Sequence, residues 1–528
     1  MGNTQEPTNS GNNQNPDEKK QNNNENQTAN DLNSESNSQL NSQSQQIQNE
    51  SQNSSEKEKS NEHQNDKHKK RREYYDNNIY NDARSIAVKV LCRCERTDSF
   101  LEKILDYELK NENLNEFDKS LVNELSHGVI RWMRRLDWFL NGFYRGNYEK
   151  CLPEVKNTLR VAMYQILFLN KIPHFAAVNE AVEFIKKIRN EKHAGVVNGL
   201  LRTILRTLDN LVWPSREIDE VNYLGIVQSH PNWMVKRWIQ RFGFDDAVKL
   251  CEANNKRPVL SIRINKLKIS EPEFEKYLTE RNIQFRKSEL LDNFYTIKLV
   301  SKLFTEDLFR EGGFSIQDIS AGFVSNLVAP KENELIVDLC AAPGGKTTHM
   351  SQLMNNSGEI IAIEKYLGRL ETLKRNIERL GATNVKLLHD DLNNPNSKLL
   401  NEDLIGKADK ILLDAPCSGL GVLSKKPDIK WKRELNDIKE LQELQKQMIS
   451  NAAKYVKPGG SLIYSTCTIE SEENSEITEY FLANHPDFEI DNAAKYVNPK
   501  VVNSQGCVEI FPHIHFIDGS YCVKFKKK

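Results

Sequence analysis

Asp338-Leu339-Cys340-Ala341-Ala342-Pro343-Gly344-Gly345-Lys346-Thr347 follows the apolar run Leu335–Val337 and leads into a helix beginning near Thr347. A strand, a tight loop of small residues and a helix in that order form the first unit of an open α/β sheet. Small residues let backbone N–H groups approach a ligand closely at a helix N-terminus. A phosphate-binding P-loop is excluded, because Cys340 stands where its first glycine would be. Strands and helices then alternate to the end of the chain: Leu335–Leu339, Glu359–Glu364, Asn384–His389, Lys410–Asp414 and Ser461–Tyr464 read as strands of a parallel sheet. The helix before the last strand carries Leu435, Ile438, Leu441, Leu444, Met448, Ile449, Ala452 and Val456 on one face, with Pro458-Gly459-Gly460 as its stop.

In such sheets ligands gather outside the carboxyl ends of the strands. Glu364 ends the second strand, where a ribose diol is held in Rossmann-type sites. Asp390 and Asp391 close the third; Asp390 is assigned to the adenine end of a nucleotide-type cofactor and Asp391 to the following turn. Asp414-Ala415-Pro416-Cys417-Ser418-Gly419 and Ser465-Thr466-Cys467-Thr468 end the last two strands. A lone cysteine is usually a small buried hydrophobe. Two at adjacent strand ends, flanked by hydroxyl residues, point instead to covalent chemistry on an electrophilic carbon. Asp414 is placed to hydrogen-bond a base edge. Lys425, Lys426, Lys430, Trp431, Lys432 and Arg433 mix cations with an aromatic, as a nucleic-acid strand requires. Glu472, Glu473 and Asn474 are expected to cap the next helix, one of them buried against the site.

Outward from this core the 528 residues divide further. Residues 1–75 are rich in Asn, Gln, Ser, Glu and Lys and too poor in apolar side chains to offset their ordering entropy, so a disordered tail is expected, ending in the basic run 67–72. Residues 80–212 are helical by period: Val155, Leu159, Ala162, Met163, Ile166 and Leu167 share a face, as do Ala177, Ala181, Phe184, Ile185 and Ile188. Arg131, Arg134, Arg135, Lys186, Lys187, Arg189, Lys192, Arg202 and Arg206, with Trp132 and Trp138 among them, point to RNA contact. Residues 220–330 read as an α+β connector: a helix over Trp233–Phe242, then strand, helix and strand over Val259–Ile264, Pro272–Leu278 and Phe294–Val300. Residues 331–528 form the cofactor-binding domain.

Net charge is −1, so bulk charge does not announce a polyanionic partner. Nine cysteines without a CxxC pair argue against a structural metal. No apolar run reaches membrane-spanning length. A soluble, cytoplasmic, monomeric protein without metal is expected.

The motifs DxCAAPGGKT, DAPCSG and STCT, in this order, resemble the Nop/Sun family of RNA cytosine-C5 methyltransferases. The helical region resembles the NusB-type RNA-binding fold, and Lys426-Pro427-Asp428-Ile429-Lys430-Trp431 is similar to the bacterial subgroup acting on small-subunit rRNA. The resemblance covers about Ala83 to the C-terminus. It implies that Cys340, Ala341, Ala342, Pro343, Gly344, Gly345 and Lys346 bind S-adenosylmethionine, together with Glu364 at its ribose, Asp390 at its adenine, and Asp414. It also implies that Cys467 attacks the base, that Cys417 helps release the product, and that 16S rRNA is the partner. The family commonly has Asp where Glu364 stands. The readings set beside it are a non-catalytic RNA-binding assembly factor and the same chemistry on tRNA or large-subunit rRNA. Intact Cys417, Cys467 and Gly344-Gly345 argue against the first.

Overall fold

The computed structural model describes residues 79–111, 114–298, 303, 306–394 and 404–528. The tail over 1–75, its basic end and the last two residues of the strand expected over Phe294–Val300 lie outside them.

The first part is all helix: Ala83–Arg96, Leu101–Asn111, Glu116–Phe143, Pro153–Phe168, His174–Ile188 and Glu191–Arg206. Asp82 starts the first with its carboxylate on the N–H groups of Arg84 and Ser85, which satisfies donors that a helix start leaves orphaned. The face of Val155, Leu159, Ala162, Met163 and Ile166 is buried, as the period requires.

Helices Glu220–Val227, Asn232–Phe242 and Phe244–Asn255 follow. They lead into a four-stranded antiparallel sheet of β1 (Leu260–Ile264), β2 (Phe285–Lys287), β3 (Phe294–Ile297) and β4 (Phe314–Ile316), in the order β2-β3-β1-β4, with helix Glu271–Glu280 packed on it. The connector thus contains two short strands, β2 and β4, beyond the expected strand–helix–strand.

The last part is an eight-stranded mixed sheet. Its strands are β5 (Leu335–Asp338), β6 (Glu359–Glu364), β7 (Val385–His389), β8 (Ala408–Asp414), β9 (Val456–Thr466), β10 (Phe488–Ile490), β11 (Val508–Ile510) and β12 (Ser520–Lys527). The order is β10-β12-β9-β8-β5-β6-β7, with β11 paired to β12. The five expected strands are mutually parallel, and β10, β11 and β12 add an antiparallel edge. Alternation along β8 sends Ile411 and Leu413 to one face, with Met448, Ile449 and Phe481. It sends Leu412 to the other, with Phe323, Leu327 and Met350. Both faces are covered, as a parallel sheet requires. The expected stop of helix Leu435–Ala453 is corrected: Val456 and Pro458-Gly459-Gly460 open β9 instead, and the ladder with β8 shifts register there. Gly459 has φ +68°, which a β-bulge tolerates and a helix does not.

The connector helices pack directly on this sheet domain. Trp238, Val235 and Met234 lie in one buried cluster with Leu420, Leu423, Ile429 and Ile469. Trp238 Nε1 donates to Glu470 at 3.1 Å, and Arg237 pairs with Glu470 and Glu472 at 2.7 and 2.8 Å. Truncating a buried aromatic such as Trp238 to Ala would cost about 3–5 kcal/mol.

Candidate active site

From β5 the chain crosses to β6 on one side and reaches β8 on the other. This topological switch point opens a crevice beyond the strand ends. The 340–346 loop leaves β5 there and Asp414–Gly419 leaves β8 beside it. Backbone bonds fix both: Leu339 N–H donates to Leu412 O (2.9 Å), Ala341 N–H to Ile363 O (2.9 Å) and Ala415 N–H to Ser465 O (2.9 Å).

Gly344 has φ +102°, and a side chain there would strike Leu373 at 2.6 Å, so the loop takes this path only with glycine. Thr348 donates from its hydroxyl to Gly344 O at 2.7 Å. Thr347 Oγ1 donates to Asp338 at 2.7 Å. Burial pushes the Asp338 carboxyl up to about 7, against the Thr347 hydrogen bond. From β1 of the connector, the fully buried Arg263 donates to Gly345 O at 2.8 Å, Thr348 Oγ1 at 3.1 Å and Gln317 Oε1 at 2.5 Å. Burial lowers its guanidinium to about 9, with Arg379 adding to the effect. A charge that far from water is tolerated only when hydrogen-bonded. Arg263 was invisible in the sequence, because nothing local couples β1 to residue 345.

Glu364 ends β6 buried, only 3% exposed, with Oε1 accepting the Tyr366 N–H at 3.0 Å and Oε2 ion-paired with Arg369 at 3.7 Å. Tyr366 and Leu367, which follow it closely in sequence, are 57% and 63% exposed. Asp390 lies half-buried at the end of β7. Asp391 accepts the Asn393 N–H at 3.0 Å and pairs with Lys365 at 2.8 Å, the turn-capping role expected of one of the two. A glycine cradle at a helix start and buried or half-buried acids on the next two strand ends fit a nucleotide-type cofactor.

Lys346 reaches from the loop to Asp414 Oδ2 at 2.6 Å, while Ser465 Oγ donates to Oδ1 at 2.7 Å. Burial opposes the Lys346 charge, but Asp414 wins and holds its pKa above the ordinary lysine value. Each carboxylate oxygen keeps a second lone pair, so Asp414 can still accept a proton donor from a base edge.

Cys417 and Cys467 come together with Sγ atoms 3.2 Å apart. Cys467 is exposed and Cys417 half-buried. The Cys417 hydrogen bond lowers the Cys467 thiol below its ordinary value; burial and Asp414 oppose, and Lys346 and Lys426 assist. Cys417 is pushed up by the same pairing. The pairing thus favours thiolate character on the exposed Cys467 over Cys417. Cys340 stays a thiol, because burial raises it.

Glu473 lies under the pair. It accepts the Ser418 N–H (2.8 Å), the Ser418 hydroxyl (2.5 Å) and Gln445 Nε2 (3.1 Å), so it shapes the Cys417 turn. Burial raises its carboxyl despite these bonds. Asn474 braces Thr466 (2.6 Å) and Thr468 O (3.1 Å) instead of capping the helix with its side chain.

The basic run after Cys417 is corrected. Lys430 is buried and donates to Arg131 O (2.8 Å) and Asn255 (3.3 Å). Trp431 Nε1 donates to Ile130 O (2.7 Å), and Lys432 to Thr97 O and Ser99 O (3.0 and 2.8 Å). Lys425 pairs with Asp318 and with Asp518 (2.8 Å). Arg131, Arg134 and Arg135 are likewise not an RNA face. Arg131 donates to Ser424 O (2.8 Å) and Arg134 to His230 O (2.5 Å) and Asn222 (2.9 Å). Arg135 bonds Val227 O and lies over the Trp132 ring at 4.2 Å. These cations satisfy backbone carbonyls where the helical part, connector and sheet domain meet. Lys426, Lys186, Lys187, Lys192, Arg202 and Arg206 are exposed. Among the described residues no helix is long and apolar enough to cross a membrane.

Comparison with known proteins agrees with this arrangement. Residues 325–526 match the family described as 16S rRNA methyltransferase RsmB/F, residues 81–206 the NusB family, and residues 230–300 the RsmF/B-like ferredoxin-like domain. The chain is 34% identical over 452 residues to the probable ribosomal RNA small subunit methyltransferase B of Bacillus subtilis, covering 84% of this chain and 98% of that one. The Synechocystis protein of the same description is 33% identical over 84% of this chain and 99% of its own. Among solved structures, NSun6 from Pyrococcus horikoshii with SFG superposes with a TM-score of 0.51, at 25% identity over 57% of this chain and 99% of that one.

Proposed function

The chain belongs to the RsmB/F family of 16S rRNA methyltransferases, and from that premise we propose that it methylates C5 of a cytosine in small-subunit rRNA, using S-adenosylmethionine and a covalent bond from Cys467 to C6 of the base. The observation that carries the reading is the pair of thiols 3.2 Å apart, one exposed, beside the 340–346 loop. The ligand of the Pyrococcus horikoshii neighbour is an S-adenosylmethionine analogue, which supports the choice of cofactor.

Cys340 to Lys346, Glu364 and Asp390 would hold the cofactor, with Glu364 accepting the ribose hydroxyls; bound there, it supplies an electrophilic methyl group. The chain's own residues do the rest. C5 of cytosine is a poor nucleophile. Addition of the Cys467 thiolate to C6 makes it enamine-like. Asp414, fixed by Lys346 and Ser465, accepts from the base's N4 amino group and holds the ring over the sulfur. Loss of the C5 proton and departure of the thiolate restore aromaticity, and Cys417 assists that breakdown from 3.2 Å. The target must leave its stack to reach Cys467.

In this reading residues 331–528 do the chemistry, 220–330 brace the cofactor loop through Arg263, and 80–212 hold RNA through Lys186, Lys187, Lys192, Arg202 and Arg206. Residues 1–75 are dispensable for methyl transfer. Bisulfite sequencing of rRNA from a deletion strain is expected to lose protection at one small-subunit cytosine. Protection lost in tRNA or large-subunit rRNA instead would reassign the substrate, and no loss anywhere would remove the C5 chemistry.

A further inference from the structure

Phe516 is 78% exposed and has φ +60°. It follows the short helix Pro512–His515. A bulky residue in left-handed backbone is costly, and so is leaving its ring in water. Backbone hydrogen bonds tie its loop into the fold. Three residues on, Gly519 N–H donates to Gly421 O at 2.8 Å, and Gly421 N–H donates to Cys467 O at 3.1 Å. The backbones touch so closely that a side chain on Gly421 would meet Gly519 O at 2.2 Å. β12 then pairs Tyr521 with Thr466. The Phe516 loop is therefore fastened to the backbone of the attacking cysteine.

The ring lines a cavity of about 130 Å³ with Ile517, Val259, Thr296, Lys256 and Lys425. That volume is on the scale of one small aromatic ring. Lys256 Nζ lies 5.8 Å from the centre of the Phe516 ring, within cation–π range. Lys425 is neutralised by Asp318 and Asp518, and Arg257 is paired with Glu124 at 2.5 Å. Exposed Lys426 stands next in sequence to Lys425, and its charge is felt at Cys467. An exposed aromatic face with an exposed lysine in cation–π range is the kind of surface that single-stranded nucleic acid uses, stacking a base and drawing its phosphates.

We infer that Phe516, Lys256 and Lys426 form a landing site for a nucleotide neighbouring the target cytidine, its base stacked on Phe516 and its phosphates against the two lysines. The inference rests on the reading of Cys467 as the attacking residue. Extracting the target base robs its neighbour of a stacking partner, and Phe516 replaces that partner from the loop that Gly519 and Gly421 tie to Cys467 O.

The test measures affinity and kcat/KM for deproteinised small-subunit rRNA in full-length Phe516→Ala, Phe516→Gly and Phe516→Trp. Stacking of about 1–3 kcal/mol per base predicts a roughly 5- to 150-fold loss of RNA affinity and of kcat/KM in Phe516→Ala. Trp is expected to restore both, and cofactor affinity and Tm should not fall. Phe516→Gly relieves the left-handed backbone, so it should melt no lower than wild type while losing RNA to the same degree. Lys256→Glu and Lys426→Glu should each lower the salt slope of binding by about one. Unchanged RNA affinity in Phe516→Ala overturns the inference. So does a loss confined to assembled small subunits, which would give Phe516 a protein partner. Wild-type enzyme yielding no 5-methylcytosine would defeat the methylation reading alone, because the affinity arm still judges the platform.

Discussion

Lys426 and Lys430 stand four residues apart in one basic run, yet they belong to different regions of the molecule. Lys426 is exposed, and its charge is felt at Cys467. Lys430 is buried, its pKa lowered by desolvation and by Arg131, and it donates to Arg131 O and Asn255. At the mouth of the site a cation is free to meet a ligand. At the seam between the parts it is used up on backbone carbonyls. The same residue types are thus interface material in one place and structural mortar in the other, and only burial separates them.

The contrast makes substitutions separable: those at the mouth should cost function with little stability, and those at the seam the reverse. The largest effect is expected for Cys467→Ala, which cannot form the C6 bond. Methyl transfer should fall to background with an unchanged melting curve. Cys417→Ala should accumulate a covalent RNA adduct, visible as a shifted band on denaturing gels. A band in the Cys467 variant instead would exchange the two roles.

Next comes the seam. Joint reversal of Arg131, Arg134 and Arg135 to Glu places anions against carbonyls that now receive guanidinium donors. A loss of more than about 3 kcal/mol is expected, read as a large fall in Tm. A variant that melts normally but binds RNA weakly would return these arginines to the RNA face and break the comparison.

Glu364→Ala should weaken S-adenosylmethionine binding by calorimetry. Two ribose hydrogen bonds at about 1 kcal/mol each give roughly 30-fold. Unchanged affinity would remove Glu364 from the cofactor site.

The smallest effect is a shift in a pH profile. The Cys467 thiol is lowered, so its thiolate persists below the ordinary cysteine value of about 8.5 and is lost only as pH falls through the lowered pKa. Alkylation of Cys467 should therefore keep its rate to lower pH than that of an ordinary cysteine. Cys417→Ala removes the hydrogen bond and should move the profile upward. A profile indifferent to Cys417 would mean that the pair shares no proton.

The parallel strands, the 340–346 loop, Glu364, Asp414, Cys417 and Cys467 were legible in the sequence because each is local. An apolar run of fixed length ends in a small or reactive residue, and parallel topology alone carries those ends to one edge. The antiparallel edge was not legible. β10 and β11 have three residues each, too few for a period to register. β12 hides Lys524 in its middle, which is buried and donates to Leu327 O at 3.1 Å.

What sequence by itself determined, then, is placement: which thiols, which acids and which Gly-rich loop stand at strand ends. What tertiary structure alone decided is where charge meets water. Arg263 braces the 340–346 loop from 82 residues away. Arg131 and Lys430 close a seam across 299 residues. Phe516 faces solvent on a loop that Gly519 and Gly421 tie to Cys467 O. A side chain's charge or ring is written in its residue type, but its desolvation depends on neighbours that only folding supplies.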